Sequence, residues 1–422
     1  MTDTAKVRTS PNDDAFARLI AARPRLVGAA LAGTVIPELR ERRVHHAGPP
    51  IEFAAMCGPM QGALVCAVLL EGWTSDPRAA RDQLERGEVA TGCNNDHASV
   101  GPMAGPISAS TPVWVVADDE SGERVFAPFH EGFGRSQCMG SSSPDTIERL
   151  RSAGDEMVPV LDAALRAGGG LALDEMIAEA IARGDELHNR CVAGTSLMVE
   201  RLALQGLDAG LDSAQLAKAL KRLAANGQTA ATPAMAWAKS ILRCAEGVPG
   251  SSIVTAYARN GVTVGLKLSG TGDEWFVAPA PMVDTHYLEG YGAADATPDL
   301  GDSAVVEVGG LGAFVMAGSP AFSSKVGESP DEGLAHTLAM YELCHGESRV
   351  VRIPVLDWRG APLGIDAARV VATRTTPIHN TAVANTIPGA GIVGTGMVRG
   401  AVDCYTRAVA SLASATPAGA SS

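Results

Sequence analysis

Between residues 145 and 246 apolar side chains recur at helical spacing almost without a break, and on either side of that stretch the pattern changes. Ile147, Leu150, Val158, Leu161 and Leu165 form one stripe. Met176, Ile177, Ala180, Ile181, Leu187 and Cys191 form a second, and Leu216, Leu220 and Leu223 a third. Residues three or four apart share a helix face, so each stripe predicts a helix with one buried side. The flanks read differently. Val113–Ala117 and Arg124–Phe129 predict two strands around the turn Asp118–Glu123. Val254–Arg259 and Val262–Leu268 flank Asn260-Gly261, a strong hairpin signal in which both turn residues are expected at positive φ. The expected fold is therefore α+β and multidomain. Two mixed α/β domains, 1–144 and 247–408, enclose a small all-helical domain, 145–246, and the Ala/Ser/Pro-rich tail 409–422 is expected to be disordered. The length of 422 residues agrees, since it exceeds what one hydrophobic core usually supports.

Weaker local signals complete the reading. Residues 14–40 predict an amphipathic helix interrupted at Pro24, and Gln61–Leu70 a buried helix. Pro77 opens a helix that stops at Arg86-Gly87. Trp275–Ala278, Ser303–Val308, Val350–Leu356 and Val370–Thr373 predict further strands. Glycines 309, 310 and 312 turn the chain into a small-residue helix.

Charge and cysteine usage exclude several classes of function. The net charge of −13, with no basic run longer than a pair, repels a polyanion, so no nucleic-acid partner is expected. Eight cysteines without a CxxC argue against a zinc knuckle or a disulfide framework and fit a reducing cytoplasm. The longest apolar stretch, Gly62–Leu70, is too short for a bilayer, which needs about 20 residues, so no membrane partner is expected. No cofactor and no metal is expected.

Four segments carry candidate chemistry. The first is Gly184-Asp-Glu-Leu-His-Asn-Arg190, read as continuing the helix from Asp174. At 100° per residue His188 shares the face of Ile177 and Ile181, while Asp185 with Asn189 and Glu186 with Arg190 lie four apart beyond it. The bland reading is a helix end with a surface ion pair and a satisfied core histidine. The functional reading is a polar cluster facing a cleft. The second is Thr91–Gly105, where Cys93, Asp96 and His97 admit a metal site or a thiol–histidine pair, although a glycine-closed binding loop is favoured. The third runs from Arg259-Asn-Gly through Asp299-Leu-Gly-Asp-Ser303 to Gly309-Gly-Leu-Gly312, glycine turns able to cradle an anion. The fourth is Arg359–Asp366, an arginine beside a Gly-Pro turn that suits a carboxylate or phosphate clamp or a plain hairpin.

In this order the segments resemble the AllG/YlbE-like family. The matching pieces are His45–Ile51, Cys57–Ala63, Val100–Gly105, Gly184–Arg190, Ala258–Gly261, Asp273–Ala280, Pro298–Ser303 and Arg359–Asp366. The resemblance implies a subunit of an oxamate carbamoyltransferase-type enzyme, acting in allantoin use beside an FdrA-like partner and expected to be a homo-oligomer. The implied reaction converts oxalurate and phosphate to oxamate and carbamoyl phosphate, or acts on a related small ureido or amide acid. Alternatives are a stand-alone amide hydrolase or lyase and a non-catalytic structural subunit. Combined with the residue chemistry, His188, Asn189, Glu186, Asp185 and His97 are the expected catalytic groups. Arg190, Arg259, Asn260, Asp302, Arg359, Asp366 and Asn380 are the expected binders of substrate and phosphate. The chain departs from the family's pattern at Cys93–His97, Asn226–Thr232 and Asn380–Thr386.

Overall fold

The strand Pro24–Leu31 lies near the centre of a four-stranded antiparallel sheet, between Pro112–Asp118, which pairs in turn with Arg124–Pro128, and the short Leu171–Ala172. This computed structural model describes residues 10–415. The expected helix over 14–40 is therefore wrong beyond its first third. A helix spans Pro11–Ala21, capped reciprocally by Ser10 and Asp13, and the chain then extends at Pro24. Proline opens a strand as readily as it breaks a helix, and pairing with Pro112–Asp118 decides which.

Helices Pro144–Ser152, Val158–Ala167, Leu173–Ala182, Val192–Asp208, Ser213–Ala225 and Ala231–Cys244 fill the predicted helical stretch. The first two are joined by a π-helical turn, Ala153–Met157. Val158–Ala167, Leu173–Ala182 and Ala231–Cys244 pack on the sheet and Val192–Asp208 and Ser213–Ala225 pack on those helices, so that one continuous apolar cluster runs from Ala15 through Leu161, Ile177 and Trp237 to Leu412. A second cluster surrounds helix Gly58–Leu70, which is buried on nearly every side. That helix and Pro77–Glu85 form the crossover between the parallel strands Arg43–His46 and Ala90–Cys93.

In the second half, Val254–Asn260 and Thr263–Leu268 form the predicted hairpin inside a sheet of four strands. Only Gly261 takes positive φ, at 74°. Asn260 stays in its strand and its side chain accepts from the N–H groups of Val262 and Thr263. A three-stranded sheet of Asp284–Tyr287, Ile392–Arg399 and Ile378–Ala384 and a ribbon of Cys344–Ile353 with Arg359–Ile365 complete the fold. The architecture is α+β, as expected.

Three further expectations are corrected. Ser303–Val308 is not a strand: Val305–Val308 is a buried helical turn. A short, mostly apolar run of six residues has too little periodicity to separate the two. Val370–Thr373 belongs to helix Ala367–Thr373, which Asp366 caps by accepting from the Ala368 N–H at 2.9 Å. Residues 409–415, assigned to a disordered tail, are the last turns of helix Val402–Ala415, with Leu412 buried, while 416–422 lie outside the described residues. All eight cysteines are unbridged.

Candidate active site

The segment 184–190 is not the end of a helix. Helix Leu173–Ala182 stops, and Gly184 and Leu187 take φ of 89° and 63° to turn the chain into helix Val192–Asp208. The helical-face argument for His188 therefore fails, yet the polar residues are still buried together. Glu186 folds back on its own loop. Its carboxylate accepts from the backbone N–H groups of His188, Asn189 and Arg190 at 3.0, 2.6 and 2.6 Å. Asp185 accepts from the Gly194 N–H at 2.8 Å and pairs with Arg190. These two carboxylates hold the turn. Burial pushes both above the usual carboxylate range despite those donors.

What the turn presents is His188 and Asn189. His188 Nδ1 lies 2.9 and 3.0 Å from the two oxygens of Glu307, a buried residue on the turn Val305–Val308. Asn189 donates from Nδ2 to Asn380 Oδ1 at 2.5 Å, and Asn380 donates to Glu186 at 3.1 Å. Glu307 Oε1 also accepts from the backbone N–H groups of Ala313 and Asn380 at 3.1 and 3.2 Å. The glycine N–H groups at 309–312 donate to backbone carbonyls and not to a carboxylate; what the turn does is leave room for the Glu307 side chain at Gly312. A Cβ on Gly312, whose φ is 58°, would sit 2.1 Å from Glu307 Oε1.

His188 and Asn189 line a cavity of about 20 Å³, room for about one water, with Met103, Phe133, Ser303 and Ala382. Pro102 and His130 line this cavity and also a larger one of about 270 Å³ between the first sheet and the helices. The larger cavity is lined by Trp114, Glu131, Gln137, Arg149, Arg222, Asn226 and Thr229 among others. Two of its buried donors, Trp114 Nε1 and Gln137 Nε2, have no protein partner. An orphaned buried donor costs about 1–3 kcal/mol, so an acceptor from a ligand or water that reached either one would be favoured.

The two histidines at the junction are set in opposite tautomers. In its neutral form His188, with Nδ1 against a carboxylate, carries its proton on Nδ1 and leaves Nε2 as an acceptor. His130 Nδ1 instead accepts from the Gly132 N–H at 2.9 Å, so its neutral ring carries the proton on Nε2. Neither Nε2 has a hydrogen-bond partner among the described residues. Burial pushes His130 down to about 4. Unfolded His130 takes up a proton below about pH 6.5 and the folded residue does not until about pH 4. Stability from this group is complete above pH 6.5 and is lost as the pH falls, by about 2 kcal/mol at pH 5. Urea unfolding between pH 7 and 5 is expected to show a slope in the wild type that is shallower by that amount in His130→Gln. Equal slopes would contradict the assignment.

The other expected site residues lie elsewhere. Arg259 is fully buried, donating to Asp299 at 3.0 Å, to the Gly301 carbonyl at 2.6 Å and to Thr381 at 3.1 Å. Burial alone would raise Asp299, but Arg259 and His379, whose Nε2 lies 2.7 Å away, outweigh it and hold the carboxyl well below the usual range. Asn260 shapes the hairpin. Asp302 fixes the loop 94–105 by accepting from Gly48, Gly101, Asn94 and Asn95, and burial pushes it up to about 6. Asp366 is a helix cap that also accepts from Ser252. Arg359 is exposed, stacked over Tyr341 and paired with Glu347. His97 contacts Glu38 and stacks on His45. Arg190, Arg259 and Arg359 thus keep separate partners, and none lines either cavity. Sequence reasoning missed Glu307, His130, Arg149 and Arg222. Only Glu307 carried a signal: an acid inside the apolar run Ala304–Val308.

The family model for the oxamate carbamoyltransferase subunit AllG matches residues 89–303, which include the loop 94–105, His130 and the turn 184–190. Oxamate carbamoyltransferase subunit AllG of Escherichia coli (strain K12) is 37% identical over 93% of this chain and 94% of its own length. The chain belongs to the AllG family. A second relative, the uncharacterized protein YahG of the same organism, is 34% identical over 94% of this chain and 84% of its own. The AllG fold seen here also superposes on the crystal structure of a conserved protein of unknown function from Enterococcus faecalis V583. That match has a TM-score of 0.93 and 34% identity, covering 96% of this chain and 97% of the other. Of the three segments the sequence reading set apart from the family's pattern, Asn226–Thr232 and Asn380–Thr386 border the site, and Cys93–His97 does not. Asn226, Thr229 and Ala231 line its cavities, Gln228 Nε2 holds the Asn189 carbonyl at 2.9 Å, and Asn380 and Ala382 sit beside His188. No helix among the described residues is long and apolar enough to cross a membrane.

Proposed function

We propose that this AllG-family subunit transfers a carbamoyl group between a small ureido acid and phosphate, converting oxalurate to oxamate and carbamoyl phosphate or acting on a close analogue. The observation that carries this reading is the junction of the two cavities, where an acceptor histidine and a donor histidine face one space. In the degradative direction a phosphate oxygen attacks the ureido carbonyl and the C–N bond to the oxamate nitrogen breaks. The proton carried by hydrogen phosphate must end on that nitrogen. His188 Nε2, held by Glu307, takes the proton from phosphate, and a histidine proton is returned to the leaving nitrogen. Asn189 polarises the carbonyl. Trp114, Gln137, Arg149 and Arg222 supply donors and positive charge for a substrate that is anionic and rich in acceptors. The Escherichia coli relative is a subunit of oxamate carbamoyltransferase, and on this reading an FdrA-like partner subunit completes the enzyme.

Arg149 is exposed and forms no ion pair with an acid among the described residues, although its charge offsets part of the effect of burial on the Glu131 carboxyl in the same cavity. Arg149→Ala is expected to raise KM for the anionic substrate at least about tenfold with little change in Tm. The measurement is phosphate-dependent turnover of oxalurate with the partner subunit present. Turnover that does not need phosphate would point to hydrolysis, and an unchanged KM would remove Arg149 from the site.

A further inference from the structure

The far end of the strand Arg43–His46 holds a cluster that the proposed reaction does not use. His45 is fully buried, and neither of its ring nitrogens has a hydrogen-bond partner. Its ring stacks on His97 with centroids 3.9 Å apart, and His97 Nδ1 lies 3.0 Å from Glu38 Oε1. One ligand-type atom from each of Glu38, His45 and His97 lies within 4.8 Å of the others. The strand partner of His45 is Gly92, and a Cβ there would lie 3.0 Å from His97 Nε2 and 3.1 Å from His45 Cδ2. Glycine therefore leaves room beside the edges of both stacked rings, where a side chain would crowd them. The nearby groups that the sequence offered as ligands are committed elsewhere: Cys93 donates to the Gly48 carbonyl, and Asp96 binds Lys267 and Trp275.

We propose that Glu38, His45 and His97 form a site for one divalent first-row cation of the zinc type, with open coordination toward solvent. Two neutral imidazoles and a carboxylate are a donor set this class of ion prefers, and three protein ligands leave a position for water. Burial holds His45 neutral, the state that ligates. Without a ligand, a buried neutral imidazole with both nitrogens unpartnered is left with an unsatisfied donor and an unsatisfied acceptor. Zinc binds imidazole nitrogen at about 2.0–2.1 Å, so the ligand atoms must draw together. His97 and Glu38, with side chains 26% and 37% exposed, have the freedom to do so around a fixed His45. The ion would tie the turn Pro37–Arg40, the strand Arg43–His46 and the turn Asn94–His97 into one unit.

The test uses the full chain, dialysed against EDTA and then titrated with zinc or cobalt(II). Elemental analysis is expected to find one ion per chain, with a cobalt d–d spectrum of a site containing nitrogen ligands and a Tm that rises on zinc addition. Glu38→Gln and His97→Gln, both at part-exposed positions, are expected to weaken uptake at least about tenfold. His45→Gln is expected to abolish it, and if that variant fails to fold the other two decide. No ion above the buffer level, or the same uptake in the wild type and in Glu38→Gln, overturns the proposal.

Discussion

His188→Gln is expected to lower kcat by about a thousandfold, within the range of roughly 10²–10⁴ for removal of a positioned acid–base group. KM should change little, because binding rests on donors in the larger cavity. The fold should hold, since a glutamine amide can donate to Glu307 in place of Nδ1–H. Glu307→Gln tests the same pair from the other side. The amide keeps an acceptor for the N–H groups of Ala313 and Asn380 but offers a donor to His188. The imidazole must then accept at Nδ1 and carry its proton on Nε2, the wrong tautomer for a base. A loss of similar size is expected, and the double variant should be little worse than either single one, because the two residues act as a unit. Assays with the partner subunit present decide the matter. A kcat near wild type in both single variants removes this pair from the chemistry.

Arg259→Met is expected to act on stability first. It removes a fully buried cation and leaves Asp299 with the His379 ring as its remaining side-chain partner. Breaking one partner out of a buried pair costs about 3–5 kcal/mol, because the surviving charge is left in a low-dielectric site. A substantial fall in Tm, or loss of soluble protein, is the expected result. Adding Asp299→Asn should restore part of the loss by removing the stranded charge. The competing outcome is a variant that melts like the wild type but binds its anionic substrate poorly, which would return Arg259 to the substrate site. The distinction rests on saturation. All three nitrogens of this guanidinium already donate to protein acceptors, and Ser303 Oγ lies 3.5 Å from both terminal nitrogens, so a ligand would have to displace a protein partner.

Much of the fold was legible from local pattern. The helical stretch, the hairpin at Asn260-Gly261 and the strand pair 112–128 all carry periods that physics ties to one kind of element. The failures share a cause. Pro24–Leu31 and Val305–Val308 are short apolar runs whose conformation is chosen by what they pair with, and Leu173–Ala182 ends nine residues before Cys191 because Gly184 and Leu187 turn left-handed. Within the site, His188, Asn189 and Asn380 were visible as polar residues in unusual places. Arg149 and Arg222 were not, since surface-type arginines on helices are common and nothing local marks the cavity they border.

The sequence by itself determined the elements with a clear period, the acidic and unbridged character of the chain and, through its ordered motifs, the family. Tertiary structure decided which polar residues serve the fold and which face open space. Glu186, Asp302 and Arg259 look as functional in sequence as His188, but each is saturated by partners far along the chain, from Asn380 to Gly48 and Asp299. A buried polar group must find its hydrogen bonds somewhere. Only the packed chain shows whether the protein supplies them, as it does for those three, or leaves them for a ligand, as it does for Trp114, Gln137 and His45.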